Sequence, residues 1–321
     1  MRVIATDGLP LTAPLRSRPS LGRWAVLARD LRRNKHVYLM LLPVVLYYLI
    51  FHYGPMWGAL IAFQDFNPVR GILGSPWVGL QNFTDFFSSI YFARLLINTL
   101  AINVLDLLFG FPAPILLALL LNEILWGPFR RLVQTVTYLP HFISIVVVVG
   151  MLFDFFSRDG LVNQLVASSD PISFMQSPDW FRQLFVASGI WQQLGWGSIV
   201  FLAAMANVDP QLYDAAKVDG ASRFQLMRHV TLPGIMTVIM VLLVLRLGMM
   251  MTVGYEKIIL MYNPLTYETA DVVSTYVYRR GILQADFSFS AAVGLFNSVI
   301  NFGLLVGANR LSRRFTGTGL W

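Results

Sequence analysis

Few residues of this 321-residue chain have the types and spacing that catalysis needs. The four histidines, His36, His52, His141 and His229, are scattered without metal-ligand spacing, and the sequence contains no cysteine. The lack of cysteine excludes disulfides, thiolate metal sites and cysteine nucleophiles. No Gly-rich loop is followed by Lys and Ser or Thr, so the phosphate-binding loop typical of ATP hydrolysis is missing. We therefore predict no catalytic residue, no metal site and no cofactor in this chain.

Two charged residues, Asp106 and Arg246, stand deep inside long apolar stretches. A charge at the centre of a membrane helix costs roughly 2.5 to 3.5 kcal/mol on insertion scales, so each should face protein or water. Two interpretations carry equal weight. Arg246 either lines a solute path and offers a cation to an acidic ligand, or it pairs with Asp106 or caps backbone carbonyls.

Uncharged polar residues also interrupt the apolar stretches. Their amides could hydrogen-bond a polar solute, and neighbouring indole rings could supply flat apolar faces. For any single residue, a hydrogen bond between adjacent helices is the commoner role. Besides Asp106 and Arg246, the candidates for lining a path are Asn98, Trp191, Gln192, Gln193, Asn297 and Asn301.

The composition places the chain in a membrane. Hydrophobic residues make up 56% and charged residues 13% of the sequence, which fits a polytopic membrane protein better than a soluble one. A membrane span needs about 20 mostly apolar residues. We therefore predict an all-α fold with about six transmembrane helices. The candidate spans are residues 37–57, 95–121, 132–153, 184–206, 235–253 and 289–306.

The distribution of Lys and Arg predicts the orientation of these spans. Outside the spans, basic residues concentrate before residue 37, in two alternate loops and at the C-terminus, whereas the other loops are richer in acidic residues. Because basic loops stay in the cytoplasm, both termini are predicted to be cytoplasmic. We divide the chain into a basic cytoplasmic arm (1–36), a transmembrane domain (37–308) with a cytoplasmic loop at 207–234, and a cytoplasmic tail (309–321).

The longest polar interruption, which we call the coupling loop (residues 207–234), carries the signals of two short helices. Asp209 is an N-cap residue, and a proline follows it at the first helical position. Gly220 suits the left-handed residue that ends a helix. Ser222 and Gln225 form a capping-box pattern for a second helix, which is predicted to end before Pro233.

The coupling loop resembles the cytoplasmic "EAA" loop in permease subunits of bacterial ABC importers. An acidic residue, two alanines, a glycine and a Leu-Pro pair stand at the spacing of that family, with Asp214 in place of the usual, longer Glu. The matching residues are Asp214, Ala215, Ala216, Asp219, Gly220, Ala221, Val230, Leu232 and Pro233. The resemblance implies the type I importer permease fold and a loop that docks into a cleft on a separate ATP-hydrolysing subunit.

The same resemblance implies a role for individual residues of the loop. Asp214 would make the charged contact with the ATPase subunit, and Phe224 would dock into it by hydrophobic contact. Ala215, Ala216 and Gly220 would permit close approach of the two proteins.

Segments on the predicted outer face narrow the resemblance to one branch of carbohydrate permeases. The matching stretches begin at Trp77 and at Gly254, and the C-terminal Gly-Leu-Trp also fits. This branch imports complex or uronic-acid-containing oligosaccharides such as fragments of alginate and rhamnogalacturonan. The resemblance covers residues 37–321 and suggests a class of substrate without fixing the sugar.

The resemblance also implies the partners of the chain. It would form half of a translocation pathway in the bacterial cytoplasmic membrane, with a second homologous permease, two subunits that bind ATP and Mg, and an extracytoplasmic solute-binding protein. Oligosaccharide and membrane lipid are the other expected partners, and nucleic acid is not. The alternative is an ion-coupled secondary transporter, which would need membrane-embedded carboxylates, and only Asp106 qualifies.

Overall fold

The computed structural model describes residues 30–166, 170–317 and 319–321, so most of the predicted basic arm lies outside the described residues. Nearly all described segments are helical, and the β contact found among them is an isolated bridge between Gln64 and Trp77. The all-α prediction is therefore confirmed. The described residues divide into two compact units, one that ends at Trp57 and one that begins at Gly58. The division at residues 36 and 308 stays a prediction.

The α-helices of the described residues are numbered in chain order. They are α1 (Lys35–Tyr48), α2 (Gly71–Gly74), α3 (Gln81–Ser88), α4 (Phe92–Leu105), α5 (Pro112–Glu123), α6 (Gly127–Tyr138), α7 (Ile145–Phe155), α8 (Leu161–Val166), α9 (Pro178–Met205), α10 (Pro210–Val218), α11 (Arg223–Leu226), α12 (Leu232–Gly234), α13 (Met236–Leu247), α14 (Tyr255–Met261), α15 (Tyr267–Ala270), α16 (Val273–Tyr278) and α17 (Phe287–Thr316). Shorter π turns and 3-10 turns extend or connect several of them: Leu49–Tyr53, Gly54–Phe63, Asp106–Gly110, Leu139–Phe142, Phe174–Gln176, Met227–Thr231 and Arg279–Leu283.

Three helical stretches among the described residues are long and apolar enough to cross a membrane. They are Lys35–Phe63, Phe92–Glu123 and Phe287–Arg314. Two sharply bent pairs meet the same test only when their halves are combined, so the number is three, or up to five. Helix α9 has 28 residues, but it does not meet that test, and the polar residues of the predicted fourth span lie in it. The total of six spans stays a prediction.

The predicted span at 132–153 is not one straight helix. Helix α6 continues through the turn Leu139–Phe142, and α7 then leaves at 101° to it. The break lies at Ile143 and Ser144, which both have extended ψ angles, 130° and 141°. Pro140 precedes the break, and because proline has no backbone N–H it cannot donate to the helical hydrogen-bond ladder.

The sequence predicts that the second helix of the coupling loop ends before Pro233, and this prediction is wrong. From α11 the chain continues through the π turn Met227–Thr231 into α12 and stays helical to Gly234. Pro233 lies in the first turn of α12, where a missing N–H is tolerated. The change of direction comes at Ile235, after which α13 is bent by 60° from this stretch.

Helix α9 is the element around which the Gly58–Trp321 unit packs, and it contacts α5, α6 and α15. Gly195 permits the closest of these approaches. A Cβ atom there would collide with the backbone carbonyl of Thr137 in α6 and lie 2.8 Å from the ring of Tyr138. The Gln192 side chain donates a hydrogen bond of 2.9 Å to the carbonyl of Ile143, so α9 also satisfies the backbone at the break between α6 and α7.

The segment between α13 and α17, residues 254–286, is part of the core and not a surface loop. Ile258, Val272 and Val273 are completely buried. Ile258 and Val272 belong to a hydrophobic cluster that includes residues of α7 and α9, and Val273 belongs to a second cluster with α4 and α17. The short helices α14, α15 and α16 are therefore held by long-range packing.

Candidate functional site

The first half of the coupling loop has the geometry that its sequence predicts. The carboxylate of Asp209 accepts a hydrogen bond of 2.9 Å from the backbone N–H of Gln211, which confirms the N-cap. Gly220 has φ +78°. Its N–H donates to the carbonyl of Lys217 at 3.0 Å, and the next N–H donates to the carbonyl of Ala216 at 2.9 Å. This left-handed cap ends α10 and turns the chain sharply toward α11.

The capping box of the second helix is also confirmed. The backbone N–H of Ser222 donates to Oε1 of Gln225 at 2.7 Å, and the Gln225 N–H donates to Oγ of Ser222 at 3.4 Å. Across the turn, the Tyr213 hydroxyl donates to Oγ1 of Thr231 at 3.0 Å. Thr231 is buried, so this bond ties α10 to the interior end of the helical stretch that leads to α13.

The outer side of the coupling loop combines charge with exposed apolar surface. The Asp214 carboxylate is 74% exposed and accepts a hydrogen bond of 3.2 Å from Nζ of Lys217. The Phe224 side chain is 63% exposed and that of Val218 is 88% exposed. A surface ion pair of this kind contributes at most about 1 kcal/mol, so the carboxylate is easily redirected. The loop can thus present a carboxylate and two apolar side chains to another protein.

The remaining matched residues of the coupling loop differ in exposure. Ala215, Asp219 and Pro233 are exposed, whereas Ala216, Ala221 and Leu232 are half-buried. Small side chains next to exposed apolar ones permit a partner backbone to come close.

The two charged residues of the apolar stretches meet in the structure. The guanidinium of Arg246, in α13, forms an ion pair with the carboxylate of Asp106, in the π turn between α4 and α5. The two side chains remain 39% and 27% exposed. Both line a cavity of about 490 Å³, to which α9 contributes Gly189, Gln193 and Gly197. The pair is thus formed, and it lies on the wall of a cavity.

Gly110 determines where the Asp106 carboxylate can lie. An added Cβ at Gly110 would overlap one carboxylate oxygen of Asp106 and approach its Cγ atom to 3.0 Å. Asp106 and Gly110 are the two ends of the π turn. Because glycine has no Cβ, the Asp106 carboxylate can occupy this position beside Arg246.

Three of the other path candidates lie on α9. Gln193 lines the cavity of the ion pair, and its Oε1 lies 3.0 Å from Nδ1 of His141, whose ring stacks on Trp196 at 4.4 Å. The side chain of Gln192 donates its hydrogen bond to the Ile143 carbonyl, at the break between α6 and α7. Trp191 lines a separate apolar groove of about 380 Å³ beside α7.

The three asparagine candidates lie outside that cavity. Asn98 is buried and uses both amide hydrogens, at 2.9 and 2.8 Å, on the carbonyls of Glu268 and Asp271, while its Oδ1 accepts from Arg182 at 2.6 Å. Asn301 fixes the turn after α13 by accepting from the backbone N–H of Met251 at 2.9 Å. The Oδ1 atom of Asn297 is buried without a hydrogen-bond partner among the described residues.

Lys257 is a cation that the sequence interpretation missed. Its side chain is 8% exposed, and no described residue forms an ion pair with it. The ammonium donates to the carbonyl of Phe185 at 2.7 Å and lies 4.5 Å from the centre of that ring. Burial lowers the pKa of Lys257 to about 8. An added Cβ at Gly189 would lie 3.5 Å from Nζ, so the ammonium lies directly behind a residue of the cavity wall.

A second Asp–Arg pair lies in the 254–286 segment and was also missed. Asp271 is 1% exposed, and both its oxygens accept from Arg279, at 2.9 and 2.6 Å. Burial alone would lower the pKa of Arg279, but hydrogen bonds to Asp271 and Tyr262 outweigh it and raise that pKa. The spacing of eight residues follows no local pairing rule, so nothing in the sequence pattern indicated this pair.

The described residues include no group of three or more His, Asp and Glu that could hold a metal ion. The charged groups of the chain therefore offer ion pairing and hydrogen bonding, in a cavity and on an exposed loop.

Comparison with known proteins gives consistent matches over most of the chain. Residues 110–317 match the family described as "Binding-protein-dependent transport system inner membrane component". The chain is 50% identical over 294 residues to Protein LplB of Bacillus subtilis (strain 168), covering 91% of this chain and 92% of LplB. It is 46% identical over 292 residues to the polygalacturonan/rhamnogalacturonan transport system permease protein YteP of the same organism, covering 90% and 91% of the two chains.

Solved structures agree with these relatives. A chain of the bacterial alginate ABC transporter, in complex with an alginate pentasaccharide-bound periplasmic protein, superposes with a TM-score of 0.84 at 45% identity. The match covers 92% of this chain and 99% of that one. The predicted resemblance and fold are thus confirmed, and the ion-coupled alternative finds no support. The chain is a multi-pass membrane protein that belongs to the family of binding-protein-dependent transport system inner membrane components.

Proposed function

We propose that this chain is one of two permease subunits of an ATP-driven importer for acidic oligosaccharides. The observation that carries the transport proposal is the exposed helix–turn–helix of the coupling loop, with Asp214 and Phe224 on its outer side. The chain itself takes no part in ATP hydrolysis, and two partner subunits bind ATP and Mg. A solute-binding protein delivers the sugar from outside, and both termini and the coupling loop face the cytoplasm.

The coupling loop acts as a short rigid lever. Its helices are joined by the left-handed cap at Gly220 and by the Tyr213–Thr231 hydrogen bond. Because the stretch stays helical to Gly234 and only then bends into α13, a push on Asp214 or Phe224 is passed to the helix that carries Arg246. Nucleotide-driven closure of the ATPases therefore shifts the populations of inward-facing and outward-facing states.

The preference for acidic sugars rests on the cations around the cavity. Arg246 lines its wall, and the ammonium of Lys257 lies behind Gly189. Within the lining Asp106 balances Arg246, so the extra positive charge comes from the Lys257 ammonium behind the wall. The related YteP is named for polygalacturonan and rhamnogalacturonan, and a second structural match imports the acidic polysaccharide alginate. Gln193 offers hydrogen bonds to hydroxyl groups in the same cavity.

The test is ATPase activity of the assembled complex in liposomes, with binding protein loaded with acidic oligosaccharide. Gly220→Pro is expected to abolish the stimulation, because proline cannot adopt φ +78° and also removes the N–H that bonds to Lys217. Gly317→Pro is the matched control. Gly317 has φ +69° and donates its N–H to Arg313 at the end of α17, outside the coupling loop.

Stimulation that disappears in Gly220→Pro and persists in Gly317→Pro supports coupling through the loop. Equal stimulation of both variants, in complexes shown to contain all subunits, would refute it. If neutral and acidic oligosaccharides stimulate ATPase activity equally, the preference for acidic sugars is refuted, while coupling through the loop is not affected.

A further inference from the structure

A second polar cavity, of about 710 Å³, is built by the start of α4 and by the 254–286 segment. Its lining includes three arginines and three tyrosines: Tyr91, Arg94, Tyr267, Tyr276, Arg279 and Arg280. It is distinct from the Asp106–Arg246 cavity, with which it shares no lining residue. In the proposed orientation this cavity lies on the outer face, where a binding protein would release a sugar.

Two of the three arginines are held rigidly. Arg279 is bound through both terminal nitrogens to Asp271, and its guanidinium lies 5.3 Å from the ring centre of Tyr267 and 5.9 Å from that of Tyr276. Arg280 donates to Asp286 at 2.7 Å. These groups form fixed walls, because their charges are already compensated.

Arg94 differs from both. No described residue forms an ion pair or hydrogen bond with its guanidinium, whereas Arg280, whose Nε atom is likewise buried without a partner, still pairs with Asp286. The guanidinium lies 5.1 Å above the ring of Tyr91, another residue of the lining. A cation positioned by an aromatic ring and lacking a carboxylate is left free to bind an anion.

The arrangement suits an acidic sugar unit. A guanidinium presents a planar fork that matches a carboxylate in two parallel hydrogen bonds. Tyrosine faces pack against the apolar faces of sugar rings, and the exposed carboxylate of Glu268 can accept hydrogen bonds from sugar hydroxyls. A concave site with a few fixed polar groups is typical of small-ligand binding and unlike a flat docking surface.

We propose that this cavity binds a uronate unit of the incoming oligosaccharide, with its carboxylate on Arg94, before the sugar reaches the Asp106–Arg246 cavity. The inference rests on the proposed function for the class of substrate and for the outer face. Arg94 is then a substrate-binding residue that selects for the acidic group at entry.

The experiment measures direct binding to the assembled transporter in nanodiscs without binding protein. The probes are acidic trisaccharides from polygalacturonate and from alginate, with a neutral galactose trisaccharide, detected by saturation-transfer NMR. Arg94→Met is expected to weaken binding of the acidic probes about tenfold, the loss of roughly one charge-assisted contact. Arg94→Lys should retain part of the affinity, and binding of the neutral probe should not change. Arg70→Met is the control, since Arg70 is exposed and lies outside this cavity.

Unchanged affinity for the acidic probes in Arg94→Met would overturn the inference. The inference would also be overturned if Arg94→Met changed only the stimulation of ATPase activity by the binding protein. The cavity would then serve docking of that protein. Uptake of acidic oligosaccharides by the wild-type complex is measured in parallel. If uptake is present but direct binding does not depend on Arg94, this inference fails and the proposed function stands. If binding of the acidic probes depends on Arg94 but the wild-type complex takes up no acidic oligosaccharide, the binding site stands and the proposed function fails.

Discussion

The two Asp–Arg pairs of this chain use the same chemistry in different surroundings. Asp271 is 1% exposed, is bound through both oxygens by Arg279, and accepts a further hydrogen bond of 2.7 Å from Thr275. Both pairs line a cavity, but Asp106 keeps 27% of its side chain exposed and Arg246 keeps 39%, so here the carboxylate is open as well as the cation. An ion pair whose carboxylate is fully enclosed, here called closed, stabilises a fold. A half-open pair, with both partners partly exposed, can exchange its partner for a solute. The surroundings of a pair therefore indicate its role better than its composition does.

The largest effect is expected from breaking the closed pair, Asp271–Arg279. Arg279→Met leaves the buried carboxylate of Asp271 without its cation, so the free energy of unfolding should fall by about 3 kcal/mol. Thermal unfolding of the purified subunit in detergent measures the change. Arg280→Met is the comparison, because the Arg280–Asp286 pair is about one-third exposed and should cost less than about 1 kcal/mol. Equal losses in the two variants would contradict the distinction between closed and open pairs.

The second prediction breaks the half-open pair. Asp106→Asn and Arg246→Met should each reduce uptake of acidic oligosaccharide about tenfold, with Arg246→Met the more severe because it removes the cation. The double variant should be better folded than either single variant, since no lone charge remains, yet it should not regain uptake. Uptake in proteoliposomes and the yield of assembled complex measure the two effects. Full uptake in the double variant would show that the pair is structural.

The third prediction concerns Lys257, a buried cation for which the described residues provide no carboxylate partner. The pKa of Lys257 is lowered to about 8, so the folded state releases its proton before the unfolded state does. Between that pKa and the ordinary value of 10.5, the unfolded state binds more protons, and stability must rise with pH. From pH 7 to 9 the wild type should gain about 1 kcal/mol relative to Lys257→Met. A difference that does not change with pH would mean that the ammonium is well solvated.

The smallest effect is expected from moving the Asp106 carboxylate without removing its charge. Gly110→Ala should displace the carboxylate from Arg246 and reduce uptake about threefold, while the complex still assembles. Gly150→Ala, in α7, is the matched control, because an added Cβ there has no atom within 4 Å. Unchanged uptake in Gly110→Ala would show that the carboxylate tolerates a shift.

The coupling loop was predictable because its structure depends on near neighbours. Its N-cap, left-handed glycine and capping box each involve residues at most five apart, and all three are present. The error at Pro233 arose because a π turn shifts the hydrogen-bond pattern just before the proline, and no local rule announces such a turn.

The 254–286 segment was not predictable in the same way. Asp271 is buried by contacts that include Asn98, 173 residues earlier in the chain. Lys257 is buried against α9, 72 residues earlier. The sequence pattern placed this stretch between two predicted spans, on the outer face, and did not indicate that it is buried. Long-range packing decides which of those residues are enclosed, and spacing alone does not contain that information.

The bend between α6 and α7 has a consequence for the order in which the protein can acquire its structure during synthesis. The hydrogen bond that satisfies the Ile143 carbonyl comes from Gln192, 49 residues later in the chain. Gly195, against which the backbone of α6 packs, is synthesised still later. While the ribosome has not yet delivered α9, the exposed carbonyl must find water or the insertion machinery instead, because lipid offers it no donor. The bent pair therefore reaches its final state only when α9 joins it.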